Sequence, residues 1–304
     1  MDSYATNLLQ YIPGVSILEG AIQSVLINIL KTGPIPNHLS FVMDGNRRFA
    51  KINNLPLKEG HRQGADALAR VLDCCFRIGV KNVTTYAFSI ENFSRKPEEV
   101  DTIFSLLKVK LAMLASENQL CDLHSVRVKI IGNKSYLPED ILSDIEMVEE
   151  RTKHHDKHVL FIAFPYTSRD DMWYATDKII EKFNNKEITL DDINQDLFQN
   201  NFYYNELSEN VDILVRTSGH TRLSDYMLWQ CHQDSVIEFP NTLWPNYRFY
   251  NTWWTIFKWS YYKTLIIQDS EIMQLKKISQ KDVDEKYKRE IPKIHPPFAS
   301  VNKH

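Results

Sequence analysis

Cysteine is scarce in this chain. Cys74, Cys75, Cys121 and Cys231 are the only four in 304 residues, and none stands in a C-x-x-C or paired metal spacing. A disulfide framework is thereby excluded. Adjacent Cys74 and Cys75 point to different faces of a helix, as reduced core thiols do. Long hydrophobic runs are also missing: no apolar stretch reaches the ~18 residues of a membrane span. No signal peptide with a small-residue cleavage site is expected at the N-terminus. Nor is there an excess of one charge. Lys+Arg number 36 against 39 Asp+Glu, a net charge of −3, so no global basic field advertises nucleic acid as a partner. Two glycine motifs are absent as well. Without G-x-x-x-x-G-K-[ST] a P-loop kinase is excluded, and without G-x-G-x-x-G after a strand a dinucleotide fold lacks its fingerprint. No internal repeat or low-complexity tract is present.

What remains is a composition of 43% hydrophobic and 25% charged residues, enough to bury a sizeable core in one large or two ordinary domains. Residues 15–30 put Val15, Leu18, Ile22, Val25, Leu26, Ile29 and Leu30 at helical spacing. This helix either packs on the domain or lies at an interface with membrane or greasy substrate. After the break Gly33-Pro34-Ile35-Pro36, strands are expected at 39–43, 82–89, 125–131, 158–164, 212–216 and 235–239. Helical patterns fall at 63–77, 98–117, 138–152, 169–184 and 222–232. The alternation predicts an α/β fold with one open, mostly parallel six-stranded sheet covered by helices on both faces. Three segments follow: a helical 1–33, a domain over 34–262, and a polar helix and tail over 263–304.

In such a sheet the ligand crevice lies beyond the carboxyl ends of the strands. Four polar clusters occupy those ends: Asp44-Gly45-Asn46-Arg47-Arg48, Ser89 to Arg95, Tyr166-Thr167-Ser168-Arg169, and Arg216-Thr217-Ser218-Gly219. With no global charge to help, an anion site must come from local concentration. Residues 44–62 supply it, setting Arg47, Arg48, Lys51, Lys58 and Arg62 against only Asp44 and Glu59. A carboxylate beside a glycine can hold Mg²⁺ against a phosphate, and adjacent arginines offer fork-shaped donors to its oxygens. The bland alternative is a helix-capping Asp with two solvated arginines. His61 and Arg62 at the start of the next helix suit an anion, or simply cap it. Arg216 and Arg222, around Thr217, Ser218, Gly219 and Ser224, form a second phosphate cradle. Two cradles on one edge imply two phosphorylated substrates, or one with distant phosphates. The acid run Asp191-Asp192-Ile193-Asn194-Gln195-Asp196 is spaced too widely for a D-D-x-x-D metal site and reads as a solvated helix start.

The stretches FVMDGNRRFAK, EGHRQGA, YAFSIENFSR, RTSGHTRLSDYMLWQ and LWPNY occur in an order and spacing that resemble the cis-prenyltransferases over residues 34–262. The likeness extends to the eukaryotic dehydrodolichyl diphosphate synthases and to bacterial undecaprenyl diphosphate synthase. It implies an apolar tunnel for a growing chain, and condensation of isopentenyl diphosphate with farnesyl diphosphate or a longer allylic diphosphate. By that resemblance Asp44 binds Mg²⁺ and helps the allylic diphosphate leave. Gly45, Asn46, Arg47, Arg48, Phe49, His61, Glu91, Phe93 and Arg95 surround that diphosphate. Asn92, with Ser89, sits where the condensing double bond loses its proton, and Arg216, Arg222 and Ser224 grip isopentenyl diphosphate. Dolichol synthesis for protein glycosylation follows, with peripheral attachment at the cytoplasmic face of the endoplasmic reticulum or at lipid droplets.

Three departures from the family pattern stand out. The arginine four residues before the histidine is Leu57 here, with Lys58 beside it. Ser235 stands where bacterial members carry a glutamate metal ligand, and Glu238 is three residues on. The C-terminal R-x-G motif is missing, and Arg77-Ile78-Gly79 lies in the wrong region. The resemblance then implies a Nogo-B-receptor-type accessory subunit that supplies R-x-G, with a homo-oligomer as the alternative. Two other readings compete. A catalytically silent prenyltransferase-like subunit would have lost Asp44 and its arginines. A phosphohydrolase using Asp44 as nucleophile would want a carboxylate where this chain has Asn46.

Overall fold

His38–Val42 (β1) is buried along its whole length, as only a strand covered on both faces can be. Its two polar side chains are satisfied inside the core. His38 Nε2 lies 2.7 Å from Thr84 Oγ1, and Ser40 Oγ lies 2.8 Å from the Tyr226 hydroxyl. The computed structural model describes residues 15–116, 120–204 and 210–275. These described residues fall into two compact units, divided between Tyr261 and Tyr262.

The elements run α1 (Val15–Leu30), β1, α2 (Asn46–Ile52), α3 (Leu57–Ile78), β2 (Asn82–Tyr86), α4 (Pro97–Ala115), α5 (Leu120–His124), β3 (Val126–Ile131), α6 (Glu139–Thr152), β4 (His158–Ala163), α7 (Ser168–Asn184), α8 (Gln195–Asn200), β5 (Ile213–Arg216), β6 (Val236–Glu238) and α9 (Phe249–Leu275). The six strands form one sheet in the order β3-β4-β2-β1-β5-β6, and every pairing is parallel. Order reverses on either side of β1, so the exits of β1, β2 and β5 are neighbours. The β3 edge is closed by side chains, since Thr152 Oγ1 and Glu149 Oε1 of α6 accept from the amides of Val128 and Ile130.

One face of the sheet carries the larger core, where Ala67, Val71 and Cys75 of α3, Leu107 and Leu111 of α4, Ile141 and Ile145 of α6, and Ile256 of α9 pack. The other face carries a smaller cluster rich in tyrosine, with Tyr166, Tyr204 and Tyr226. Cys74, Cys75, Cys121 and Cys231 are free and buried. In α1, Ile27 and Leu30 are buried and the Leu26 carbonyl accepts from the Trp253 indole at 2.8 Å, while Ile17, Leu18, Ile22, Val25 and Ile29 stay exposed. Among the described residues no helix is long and apolar enough to cross a membrane.

Helices α2, α5, α8 and the start of α9 lie outside the expected helical patterns, and three further departures bear on the site. The helix expected at 222–232 is absent. Ser224, Asp225 and Met227 adopt positive φ of 54°, 56° and 49°, which breaks any helix. The spacing that suggested one instead buries Tyr226 and Met227 beneath β1. Strand β2 stops at Tyr86, because Ala87 and Phe88 both donate to the single carbonyl of Ala163 and the ladder loses register. Helix α3 begins six residues before the expected position 63, at Leu57 behind Pro56. Its end is conventional: Gly79, at φ 110°, donates to the Cys75 carbonyl.

Candidate active site

The Asp44 turn is fixed by its backbone. The Asp44 carbonyl accepts from the Trp244 amide at 3.0 Å and from Thr217 Oγ1 at 2.8 Å. Gly45 follows with φ 113°, and a Cβ there would come within 3.0 Å of Leu243, so only glycine turns the chain cheaply into α2. Trp244 is buried and its indole donates to the Gly64 carbonyl at 2.7 Å. The LWPNY stretch therefore ties the Asp44 turn to α3. The side chain is thus free to face a cavity of about 710 Å³ at the carboxyl ends of β1, β2 and β5.

Asp44, Gly45, Asn46, Arg47, Arg48, His61, Ser89, Glu91, Asn92, Arg95, Arg216, Arg222 and Ser224 all line this one cavity. Phe49 and Phe93 do not. Phe49 is a buried residue of α2, and Phe93 packs edge-on against Phe88 and face-on against Tyr136. Lys51, Lys58 and Arg62 are likewise absent from its lining, and Arg62 is held by Glu59 at 2.6 Å. The local excess of positive charge in residues 44–62 is therefore real in sequence but only partly directed at the cavity. Ser235 turns to the Val211 carbonyl, and Glu238 is held by Lys258 at 2.6 Å.

The two cradles meet. Arg216 donates to Asp44 Oδ2 at 3.0 Å, to Ser224 Oγ at 2.6 Å and to the Arg222 carbonyl at 2.7 Å. Arg48 reaches the Ser218 carbonyl at 3.1 Å and also contacts Ser218 Oγ. On the other side Glu99 takes Arg95 at 2.7 Å and Arg47 at 3.7 Å. Ser89 and Asn92 cap one another on a 3₁₀ turn, Ile90–Ser94. Burial holds the His61 imidazole below its usual pKa, with Glu99 opposing and Arg95 and Arg47 assisting, and its Nε2 has no partner. Asn46 Oδ1 is buried without a partner as well. Such orphaned atoms at a cavity wall are where a ligand's donors and acceptors would act.

Beside these charged groups the cavity has an apolar stretch of wall. Gly64, Ala65 and Leu68 line it from α3 after His61, and Ile103, Leu106 and Leu107 from α4 before Lys110. Both sets repeat at i, i+3, i+4, i+7, one face of each helix. The arrangement can hold an anionic head at the charged groups and a hydrocarbon tail between two helices.

Sequence reasoning missed His220, Asp225, Lys110 and Trp244 in the lining, and Glu99 behind it. The Arg95–Glu99 pair had a signal in its i, i+4 spacing. Asp171 was also missed. It is buried, accepts from Tyr166 and Gln230 side chains and the Tyr203 amide, and burial raises its carboxyl from 3.8 to about 7. The folded chain thus keeps a proton that the unfolded chain loses, so stability falls as pH rises from 3.8 to about 7. The slope is roughly 1.4 kcal/mol per pH unit. Asp171→Asn removes this titration. Denaturant midpoints across that window should fall more steeply in the wild type than in the variant, and parallel slopes would refute the assignment.

A family model described as "Putative undecaprenyl diphosphate synthase" matches residues 42–264. The chain belongs to the cis-prenyltransferase family. Dehydrodolichyl diphosphate synthase complex subunit SRT1 of Saccharomyces cerevisiae is 45% identical over 247 residues, covering 80% of this chain and 71% of that one. Dehydrodolichyl diphosphate synthase complex subunit DHDDS of Homo sapiens is 39% identical over 224 residues, covering 74% and 67%. Lavandulyl diphosphate synthase from Lavandula x intermedia, solved in complex with dimethylallyl diphosphate, superposes with a TM-score of 0.69 at 25% identity, covering 74% of this chain and 95% of that one. The cis-prenyltransferase assignment makes this protein a transferase that elongates polycis prenyl chains, and it agrees with a cavity lined by both guanidinium groups and apolar side chains.

Proposed function

We propose that this cis-prenyltransferase condenses isopentenyl diphosphate onto farnesyl diphosphate or a longer allylic diphosphate, making long-chain dehydrodolichyl diphosphate for dolichol synthesis and protein glycosylation. The observation that carries the reading is Asp44, whose carboxylate pairs with Arg216 and lines one cavity with Arg47, Arg48, Arg95 and Arg222. Arg47, Arg48, Arg95 and His61 hold the allylic diphosphate. Arg216, Arg222 and Ser224 hold that of isopentenyl diphosphate. Asn92 and Ser89, fixed on their own turn, orient the condensing double bond where its proton departs.

The donor set also suits Mg²⁺. Asp44 Oδ2 meets Arg216, while Oδ1 takes no hydrogen bond among the described residues. Among them no cluster of three or more His, Cys, Asp or Glu could hold a metal. That matches an ion which binds through one carboxylate and substrate phosphates and not in a full protein cage. Bound at Asp44, Mg²⁺ would supply charge neutralisation at the leaving diphosphate. The silent-subunit reading is not favoured, since Asp44 and the arginines are all present and converge on the cavity. Radiolabelled isopentenyl diphosphate supplied with farnesyl diphosphate should appear in long polyprenols after dephosphorylation and chromatography. Absence of incorporation, with and without a partner subunit, would overturn the reading.

The same proposal places the protein at the cytoplasmic face of the endoplasmic reticulum, with lipid droplets as a second site. The exposed apolar row of α1 supports peripheral membrane contact. Replacing the exposed Leu18, Ile22 and Val25 with serine should lower co-sedimentation with liposomes and spare condensation of short substrates. Unchanged co-sedimentation would leave α1 a packing helix.

A further inference from the structure

Three acids line the cavity, and each is met by an arginine. Asp44 has Arg216. Glu91 and Asp225 share Arg169, a residue that does not itself line the cavity. Arg169 Nε donates to Asp225 Oδ2 at 2.7 Å, its backbone N–H donates to Asp225 Oδ1 at 3.1 Å, and its guanidinium donates to Glu91 Oε1 at 3.0 Å. One side chain in the first turn of α7 thus joins the turn after β2 to the irregular segment after β5.

That segment is where the second cradle lies. Asp225 follows Ser224 directly, and both have positive φ. No helix or strand holds them; the Ser168 amide on the Asp225 carbonyl, the Tyr86 hydroxyl on the Ser224 carbonyl and the Arg169 side chain do. The Asp225 carboxylate is 13% exposed, whereas Glu91 is 66% exposed. Screening by solvent makes the Glu91 limb weak, and the better-shielded Asp225 limb carries more of the effect. Without Arg169, two carboxylates would face a site that must admit a diphosphate, and like charges repel.

We propose that Arg169 is a positioning residue for the homoallylic diphosphate, which neutralises Glu91 and Asp225 and holds the Arg222–Ser224 segment against the turn after β2. The inference rests on the reading that Arg216, Arg222 and Ser224 bind that diphosphate. Removing the Arg169 side chain leaves the backbone joint in place, because the Ser168 amide still donates to the Asp225 carbonyl at 2.7 Å and Ser168 Oγ still accepts from the Leu228 amide at 2.9 Å.

The test measures both Michaelis constants in the full chain, with its partner subunit if activity requires one. Arg169→Ala should raise the constant for isopentenyl diphosphate about tenfold and that for the allylic substrate by less than about threefold, because the segment that Arg169 holds carries Arg222 and Ser224. Adding Glu91→Gln and Asp225→Asn to Arg169→Ala should bring the isopentenyl diphosphate constant back towards wild type. A purely structural tie would not be restored in this way. Should the alanine variant show a collapsed melting transition, Arg169→Gln is read by the same criteria. An unchanged constant, an equal rise for both substrates, or no recovery in the triple variant would overturn the role of Arg169. Arg222→Ala with an unchanged isopentenyl diphosphate constant would overturn the cradle instead.

Discussion

Replacing Asp44 by alanine should reduce turnover by two or more orders of magnitude while the fold persists. A lost metal contact at a leaving diphosphate costs several kcal/mol of transition-state stabilisation, and each ~1.4 kcal/mol is tenfold in rate. The fold persists because the turn is held through the Asp44 carbonyl, which Trp244 and Thr217 engage, and not through the carboxylate. Alanine does unpair the buried Arg216, so melting temperature must be followed as well. Asp44→Asn separates the two effects. Its amide oxygen can still accept from Arg216, yet it lacks the charge that a divalent ion needs. Single-turnover rates with saturating substrates and Mg²⁺ should fall in both variants. Retention of more than about a tenth of the wild-type rate in the asparagine variant, about 1.4 kcal/mol, would remove Asp44 from the chemistry.

A homologous accessory subunit should raise the activity of this chain at least tenfold. The sequence carries no R-x-G after β6. Ser235 is engaged with the Val211 carbonyl and Glu238 with Lys258, and neither lines the cavity. Charge that develops on a leaving group must be met by preorganised donors, and each missing donor costs roughly 10²–10³ in rate. A partner that brings an R-x-G arginine would complete the cradle, and relatives of this chain are named as subunits of dehydrodolichyl diphosphate synthase complexes. Isopentenyl diphosphate incorporation, measured by adding a Nogo-B-receptor-type subunit to the purified chain, should rise and then fall when that subunit's R-x-G arginine is changed to alanine. Full long-chain synthesis by a homo-oligomer alone would refute the requirement.

The parallel α/β sheet was legible from alternation alone, because buried parallel strands read as short apolar runs between amphipathic helices. The polar clusters could be assigned to one edge for the same reason: parallel strands all end on the same side. Residue types at the strand exits pointed to an anion site at Asp44, Arg48, Arg216 and Ser224, since guanidinium and hydroxyl groups suit phosphate oxygens, and the family resemblance made that anion a diphosphate. Which residues share the cavity was decided only by tertiary packing. Lys51, Lys58 and Arg62 belong to the same run of cations as Arg47 and Arg48, yet none of the three lines the cavity, and Glu59 holds Arg62. The segment 222–232 has helical spacing, but its backbone follows the buried Tyr226 and Met227 and the contacts of Ser168. The Arg169–Asp225 contact spans 56 residues, a separation that no local pattern records. The sequence determined the elements and the kind of chemistry, through short-range propensity and residue type. Only the fold decided which charges face one another, because that depends on burial and on contacts between distant strand ends.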